Sequence, residues 1–171
     1  MPHYQPLVSL DGDPFIGFEA LARWESEALG YVPPNVFIPI AEETGLINVL
    51  GDQLLRRACL DANAWPADLV LAFNVSAIQL RDPTPGLRIL SDFGPTGFSP
   101  RRLEIEITES ALVGNIGDAQ TVIDDLRRAG VRIALDDPFS AGRPGQFCAR
   151  CHLLGSVIAR LRCTTSNAGR L

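Results

Sequence analysis

This chain of 171 residues contains no lysine, and all 15 of its basic residues are arginine. Any site built on a side-chain ammonium is therefore excluded, and the bias suits a GC-rich coding sequence. No apolar run approaches the roughly 18 residues that a membrane span requires, so no span is expected. The first residues, Met1-Pro2-His3-Tyr4, carry neither a basic n-region nor an apolar h-region. No signal peptide is expected from them, and a cytoplasmic location is the default. A basic stripe is lacking too. The formal net charge is −5, which speaks against nucleic-acid polymers as partners but leaves room for a small anion held through bound cations. Acid is missing from one part of the chain only: all 20 acids lie between Asp11 and Asp137, and the 34 residues beyond hold five arginines and no acid.

What is present is enough for one folded domain. Apolar residues make up 46% of the chain, which sets it apart from disordered sequences. Four short apolar runs, Phe15 to Phe18, Leu69 to Phe73, Leu103 to Ile107 and Val131 to Leu135, read as buried strands bounded by turn residues. Leu7 to Leu10, ahead of Asp11-Gly12-Asp13-Pro14, reads as a further strand turning back through a hairpin. Between the strands lie helical patterns. Leu46, Ile47, Leu50, Leu54, Leu55, Ala58 and Ala62 recur at three- and four-residue spacing, as do Val122, Ile123, Leu126 and Ala129, with Gly130 placed as a C-terminal cap. Gly94-Pro95 predicts a short or broken helix between Leu87 and Phe98, because proline inside a helix costs about 3 kcal/mol. Strands alternating with helices predict an α/β fold with a mainly parallel sheet. Periodicity leaves open whether that sheet is a barrel or an open doubly wound one.

The polar residues at the strand ends are the informative feature. Phe15 to Phe18 delivers Glu19, Leu69 to Phe73 delivers Asn74, and Leu103 to Ile105 delivers Glu106 with Glu109 three residues on. Val131 to Leu135 delivers Asp136-Asp137. Taken singly, such residues are ordinary turn and capping residues. In a parallel α/β fold, however, all strand carboxyl ends emerge on one face, where these oxygen atoms would converge. Carboxylates and an amide form a hard-oxygen set suited to Mg²⁺ or Mn²⁺ rather than zinc. Two such cations about 3.5–4 Å apart are a common device for phosphodiester hydrolysis. The adjacent Asp136-Asp137 pair points the same way, since neighbouring like charges repel unless cations or donors hold them.

Six stretches, in order, carry a resemblance to a known family. Tyr4-Gln5-Pro6 is similar to its first strand, and Phe18-Glu19-Ala20-Leu21-Ala22-Arg23-Trp24 resembles the signature that names the EAL family. Phe37-Ile38-Pro39-Ile40-Ala41-Glu42-Glu43-Thr44-Gly45-Leu46-Ile47 resembles its most recognisable helical stretch. Asn74-Val75-Ser76 with Gln79, Glu106-Ile107-Thr108-Glu109-Ser110, and Ile133-Ala134-Leu135-Asp136-Asp137 are similar to the next three motifs. The resemblance implies a modified TIM (β/α)8 barrel whose first strand is antiparallel, and metal-dependent hydrolysis of cyclic di-GMP to the linear dinucleotide. It implies that Glu19, Asn74, Glu106 and Asp136 are metal ligands for Mg²⁺ or Mn²⁺. Asp137 would hold a second cation or the attacking water, and Glu109 would order the loop after Asp136-Asp137. Arg23 would contact the substrate phosphate, and Leu21 would belong to the floor of the substrate pocket. A homodimer is a further expectation from the same source.

The resemblance stops at Asp137. The family continues with Phe-Gly-Thr-Gly, a Lys-x-Asp motif, a later glutamate and a glutamine, whereas this chain continues Pro138-Phe139-Ser140-Ala141-Gly142-Arg143-Pro144. The expected organisation is thus residues 1–137 as the amino-terminal two-thirds of an EAL domain, and 138–171 as a divergent Arg/Cys/Gly-rich tail. A full barrel takes about 250 residues, so the last strand–helix units are expected to be missing and the sheet to end on an unpaired edge. A reading-frame change near codon 138 is our expectation for the tail, and the other downstream frames would encode the missing motifs if it is correct. Three functional readings are open: a phosphodiesterase, a degenerate domain that binds cyclic di-GMP or a protein without hydrolysis, and a truncated product. Loss of a cation and a positioned base weakens two-metal hydrolysis, so little activity is expected of the chain as it stands.

Cysteine adds little. Cys148-Ala149-Arg150-Cys151-His152 fits the C-x-x-C-H pattern of haem attachment, and Cys163 would be available to a zinc site. The favoured reading is incidental reduced thiols. Cys59 falls in the periodic helix and is expected in the core, and Trp24 is expected to pack rather than stack on a base.

Overall fold

The computed structural model describes residues 1–8, 15–81, 93–108, 116–136 and 158–160. Its centre is a six-stranded sheet in the order β1 (Pro2–Leu7), β2 (Gly17–Ala22), β5 (Val70–Asn74), β6 (Leu103–Thr108), β7 (Arg132–Asp136), β8 (Ile158–Arg160). Strand β1 is antiparallel to β2, with Pro2 opposite Ala22 and Leu7 opposite Gly17. Every later pairing is parallel. A small two-stranded ribbon, β3 (Trp24–Ser26) and β4 (Gly30–Val32), follows β2. The helices are α1 (Pro34–Glu43), α2 (Ile47–Ala62), α3 (Ala77–Arg81) and α4 (Ile116–Arg128).

Two strand expectations shift. The first strand is Pro2–Leu7, covering Tyr4-Gln5-Pro6, and Val8 lies past its end; Ser9, Leu10 and the hairpin turn expected after them fall outside the described residues. The second begins at Gly17 and runs to Ala22, so Glu19 lies inside the strand rather than after it. Apolar runs mark what is buried, while hydrogen bonding sets where a strand stops. Strand β8 pairs in parallel with β7 and places Arg160 opposite Asp136. Among the described residues, β1 and β8 each have one strand neighbour.

The core lies between the sheet and its helices. Strand β5 is buried from Val70 to Phe73, as expected of a parallel strand covered on both faces. Leu71, Leu103, Ile105 and Ile107 pack with Leu55, Ala58, Cys59 and Ala62 of α2 and with Val122, Ile123 and Leu126 of α4. Cys59 is fully buried, as its place in the periodic pattern predicts. Helix α4 ends as predicted at Gly130, whose φ is 96°. Gly130 N–H bonds the Arg127 carbonyl at 2.9 Å and Val131 N–H bonds that of Leu126 at 3.0 Å, the two bonds of a Schellman cap. Residues 93–96, spanning Gly94-Pro95, form a single helical turn.

Arg102 ties the layers together at the far end of the sheet. Its guanidinium donates to the carbonyls of Leu69 (3.0 Å), Ala62 (3.1 Å) and Pro66 (3.0 Å), and it lies 5.1 Å from the centre of the Phe98 ring. The end of α2 and the start of β5 are thereby held to β6. At the opposite margin the Tyr4 hydroxyl donates to Asp61 Oδ2 at 2.7 Å, and Arg57 pairs with the same carboxylate at 3.0 Å.

Candidate functional site

The strand register brings the expected ligands onto one face. Glu19 of β2 is opposite Ala72 of β5, and Asn74 lies two residues further along the same pleat phase. Asn74 is directly opposite Glu106 of β6. Glu106 is opposite Ala134 of β7, and Asp136 comes two residues later, again in phase. The set climbs obliquely across the sheet, which is the stagger that strands acquire when a sheet curls towards a barrel. Along β2 the same alternation puts Glu19, Leu21 and then Arg23 in one phase, so the Glu-x-Leu-x-Arg spacing has a direct geometric meaning.

The side chains confirm part of this convergence. The Asn74 amide nitrogen donates to Glu19 Oε1 at 2.6 Å across the β2–β5 boundary. Glu19 and Glu106 are 4% and 5% exposed, and burying two carboxylates on one sheet face is costly unless cations or donors balance them. Among the described residues, no three of histidine, cysteine, aspartate and glutamate gather as a metal group; the described part of the set is two carboxylates and one amide. Asp137 and Glu109 lie outside the described residues, as do Cys148, Cys151, His152 and Cys163.

Above these residues opens a cavity of about 470 Å³, within the size range of small-molecule sites. Leu21, Arg23, Asn74, Glu106 and Thr108 line its sheet side, and Glu19 lies beneath it rather than in its wall. Arg23 donates to the Ala22 carbonyl at 2.9 Å, which turns its guanidinium at the rim. The opposite wall is helical. Pro34, Ile38 and Glu42 line it from α1 at four-residue spacing, and Ile47, Leu50, Gly51 and Leu54 line it from α2.

Local structure keeps the loop after β5 in place. Gln79 is buried, and its Oε1 accepts from Ser76 N–H at 3.1 Å. A side chain at Gly51 would meet the Gln79 amide nitrogen at 2.5 Å, so glycine is what lets α2 approach this loop. Trp24 packs edge-on against Phe37 with ring centres 5.8 Å apart, as expected of a packing residue. Sequence reasoning missed Glu42 as a wall residue, although its spacing from Ile38 in a helical motif carried the signal. It also missed Glu104, fully buried two residues before Glu106 on the same phase of β6 and opposite Ala72 of β5.

An antiparallel first strand followed by parallel strands, with two buried carboxylates and an amide on one sheet face and an arginine lining the cavity above them, makes an incomplete barrel. The EAL domain family model matches residues 1–143, and the chain belongs to that family, a family of cyclic-di-GMP phosphodiesterases. It is 51% identical over 138 residues to an uncharacterised signalling protein of Caulobacter vibrioides, covering 79% of this chain and 17% of that one. It is 34% identical over 139 residues to MucR of Pseudomonas aeruginosa, a bifunctional diguanylate cyclase/cyclic di-GMP phosphodiesterase, covering 79% and 20%. The chain thus spans about a fifth of the length of these curated relatives. Among solved structures it resembles the PaMucR phosphodiesterase in complex with c-di-GMP, with a TM-score of 0.75 and 32% identity over 85% of this chain and 60% of that one. It also resembles Bacillus subtilis YkuI, an EAL-domain protein in complex with substrate c-di-GMP and calcium, with a TM-score of 0.69 and 26% identity over 90% and 38%. The modified TIM barrel of the family is therefore the fold, present here in part. No described helix is long and apolar enough to cross a membrane.

Proposed function

We propose that this chain binds cyclic di-GMP in the cavity above β2, β5 and β6, together with a divalent cation held by Glu19, Asn74, Glu106 and Asp136. The carrying observation is the Asn74–Glu19 hydrogen bond beside Glu106, at the floor of a cavity whose rim carries Arg23. The donor set fits a hard cation such as Mg²⁺ or Mn²⁺, because every contributing atom is oxygen from a carboxylate or an amide. When bound, such a cation supplies positive charge to a phosphodiester under attack. The chain's own residues do the rest. Asn74 orients the Glu19 carboxylate by donating to one of its oxygens. Arg23 offers a planar donor fork to a phosphate, and Leu21 lies against the substrate. Asp137 and Glu109 are proposed as catalytic residues on the strength of their place in the family motifs.

Binding is proposed to outlast catalysis here. Residues 138–171 hold neither a lysine nor an acid, where the family carries its Lys-x-Asp motif and a later glutamate. The family match ending at residue 143 supports a boundary close to Asp137, with 138–171 as a divergent tail. A cytoplasmic location goes with this reading.

Titration calorimetry of the 171-residue chain with cyclic di-GMP, with and without Mn²⁺, tests the proposal, with product monitored by chromatography. Cation-dependent binding with little linear dinucleotide is expected. Absence of binding at millimolar ligand overturns the reading. Rapid turnover abolished by Glu19→Ala would make the chain a competent phosphodiesterase instead of a binding module.

A further inference from the structure

Glu42 is the one carboxylate in the described wall of the cavity that lies away from the strand ends. The other, Glu106, belongs to the proposed cation site. Glu42 sits one helical turn beyond Ile38 and two beyond Pro34, on the stripe of α1 that faces the cavity. The hydrogen bond at this residue is made by its backbone, whose carbonyl accepts from Gly45 N–H at 3.3 Å. The side chain is partly buried, and its carboxylate remains available to whatever occupies the cavity.

A free carboxylate is a poor neighbour for a dianionic ligand. Placed near either phosphate it would repel it, and in a half-enclosed cavity that repulsion is little screened. Its position makes sense if it meets a part of the ligand that presents donors. The cavity separates these two environments. Arg23, Asn74 and Glu106 lie at the strand ends, where phosphate and cation belong, whereas the wall around Glu42 is made of Pro34, Ile38, Ile47, Leu50 and Leu54. Such a wall accepts the flat, weakly polar face of a nucleobase. Guanine presents two adjacent donors on its Watson–Crick edge, N1–H and the N2 amino group, and a carboxylate has two acceptor oxygens at matching separation. Adenine presents an acceptor, N1, in the corresponding place, which would meet a carboxylate oxygen lone pair to lone pair.

Resting on the reading that cyclic di-GMP is the ligand, we propose that Glu42 is a specificity-determining residue that reads the Watson–Crick edge of one guanine. It distinguishes guanine from adenine and takes no part in cation binding. The apolar stripes of α1 and α2 carry the base, and Glu42 orients it so that its phosphate lies towards Arg23.

The test compares the chain with Glu42→Gln and Glu42→Ala for binding of cyclic di-GMP and cyclic di-AMP in calcium, the cation of the YkuI complex. Calcium affinity alone is measured in parallel. Both substitutions fall on a partly exposed helix position, and matching melting curves confirm that the fold is retained. A lost bidentate base contact weakens cyclic di-GMP binding by about 10- to 100-fold. Cyclic di-AMP binding is expected to stay the same or improve, and calcium affinity to stay unchanged. Equal cyclic di-GMP affinity in all three proteins overturns the role of Glu42 while leaving the ligand assignment intact. Parallel losses for both dinucleotides and for calcium would make Glu42 a general structural or cation-site residue and overturn the proposal equally. Failure of the unsubstituted chain to bind cyclic di-GMP removes the underlying reading, and this inference with it.

Discussion

The amide nitrogen of Asn74 donates to Glu19 Oε1 at 2.6 Å, joining two strands whose sequence positions are 55 residues apart. A carboxylate oxygen engaged in this way has one orientation, and its second oxygen has a defined direction. Preorganisation of this kind separates a cation site from a mere accumulation of acids.

Asn74→Ala is expected to preserve the fold, because Asn74 is exposed at the end of its strand. Cation affinity is expected to fall about 10-fold or more, since the variant loses an oxygen donor and frees Glu19 to reorient. Mn²⁺ titration by calorimetry reads the change, and an unaltered affinity would remove Asn74 from the site.

Tyr4 makes stability fall at high pH. Burial in the first place, and then the hydrogen bond and negative charge of Asp61, push its hydroxyl well above the ordinary tyrosine value. The folded state therefore favours the protonated form. Its contribution is fully present below about pH 10, the unfolded value, and is lost progressively as pH rises above it. Tyr4→Phe should cost about 1 kcal/mol at neutral pH and flatten this alkaline decline. Urea unfolding at a series of pH values from 7 to about 11 provides the check.

Arg102→Ala removes three charge-assisted hydrogen bonds to backbone carbonyls and the contact with Phe98. The expected loss is about 2–4 kcal/mol, because three charge-assisted bonds between the end of α2, the start of β5 and β6 go together, although the carbonyls of Ala62 and Pro66 keep the backbone N–H groups of Trp65 and Leu69. Arg102→Lys should recover only part of it, since a single ammonium cannot span the same fork. Denaturant midpoints at constant slope distinguish the three proteins.

Gly17→Ala introduces a Cβ inside the van der Waals radius of the Val70 carbonyl oxygen. Strand β2 can then no longer approach β5, and the change is expected to cost about 3 kcal/mol. Cyclic di-GMP binding should be lost with it, because the β2–β5 pairing is what brings Glu19 to Asn74. Near-native melting together with retained ligand binding would contradict the pairing.

Much of the fold was legible from local pattern. The apolar runs at Leu69 to Phe73, Leu103 to Ile107 and Val131 to Leu135 became β5, β6 and β7, and the three- and four-residue spacing from Leu46 to Ala62 became α2. Hydrophobic period and cap chemistry act over a few residues, so they survive reading without a partner. The start of the first strand did not survive in this way. Pro2–Leu7 is exposed over much of its length, and it is a strand because β2 offers it a hydrogen-bonding edge. Strand β8 is a strand for the same reason, lying in a stretch whose composition promised none.

The candidate site divides along the same line. Order and residue type along the chain determined that Glu19, Asn74, Glu106 and Asp136 each sit in or at the end of a strand, and that their oxygens suit a hard cation. Only the tertiary structure decided that they share one pleat phase, that Glu19 lies beneath the cavity while Asn74 and Glu106 line it, and that Glu42 faces them from α1. The physical reason is that secondary structure depends on neighbours in sequence. A site depends on strand register and helix packing, which are settled only when distant segments compete for the same buried space.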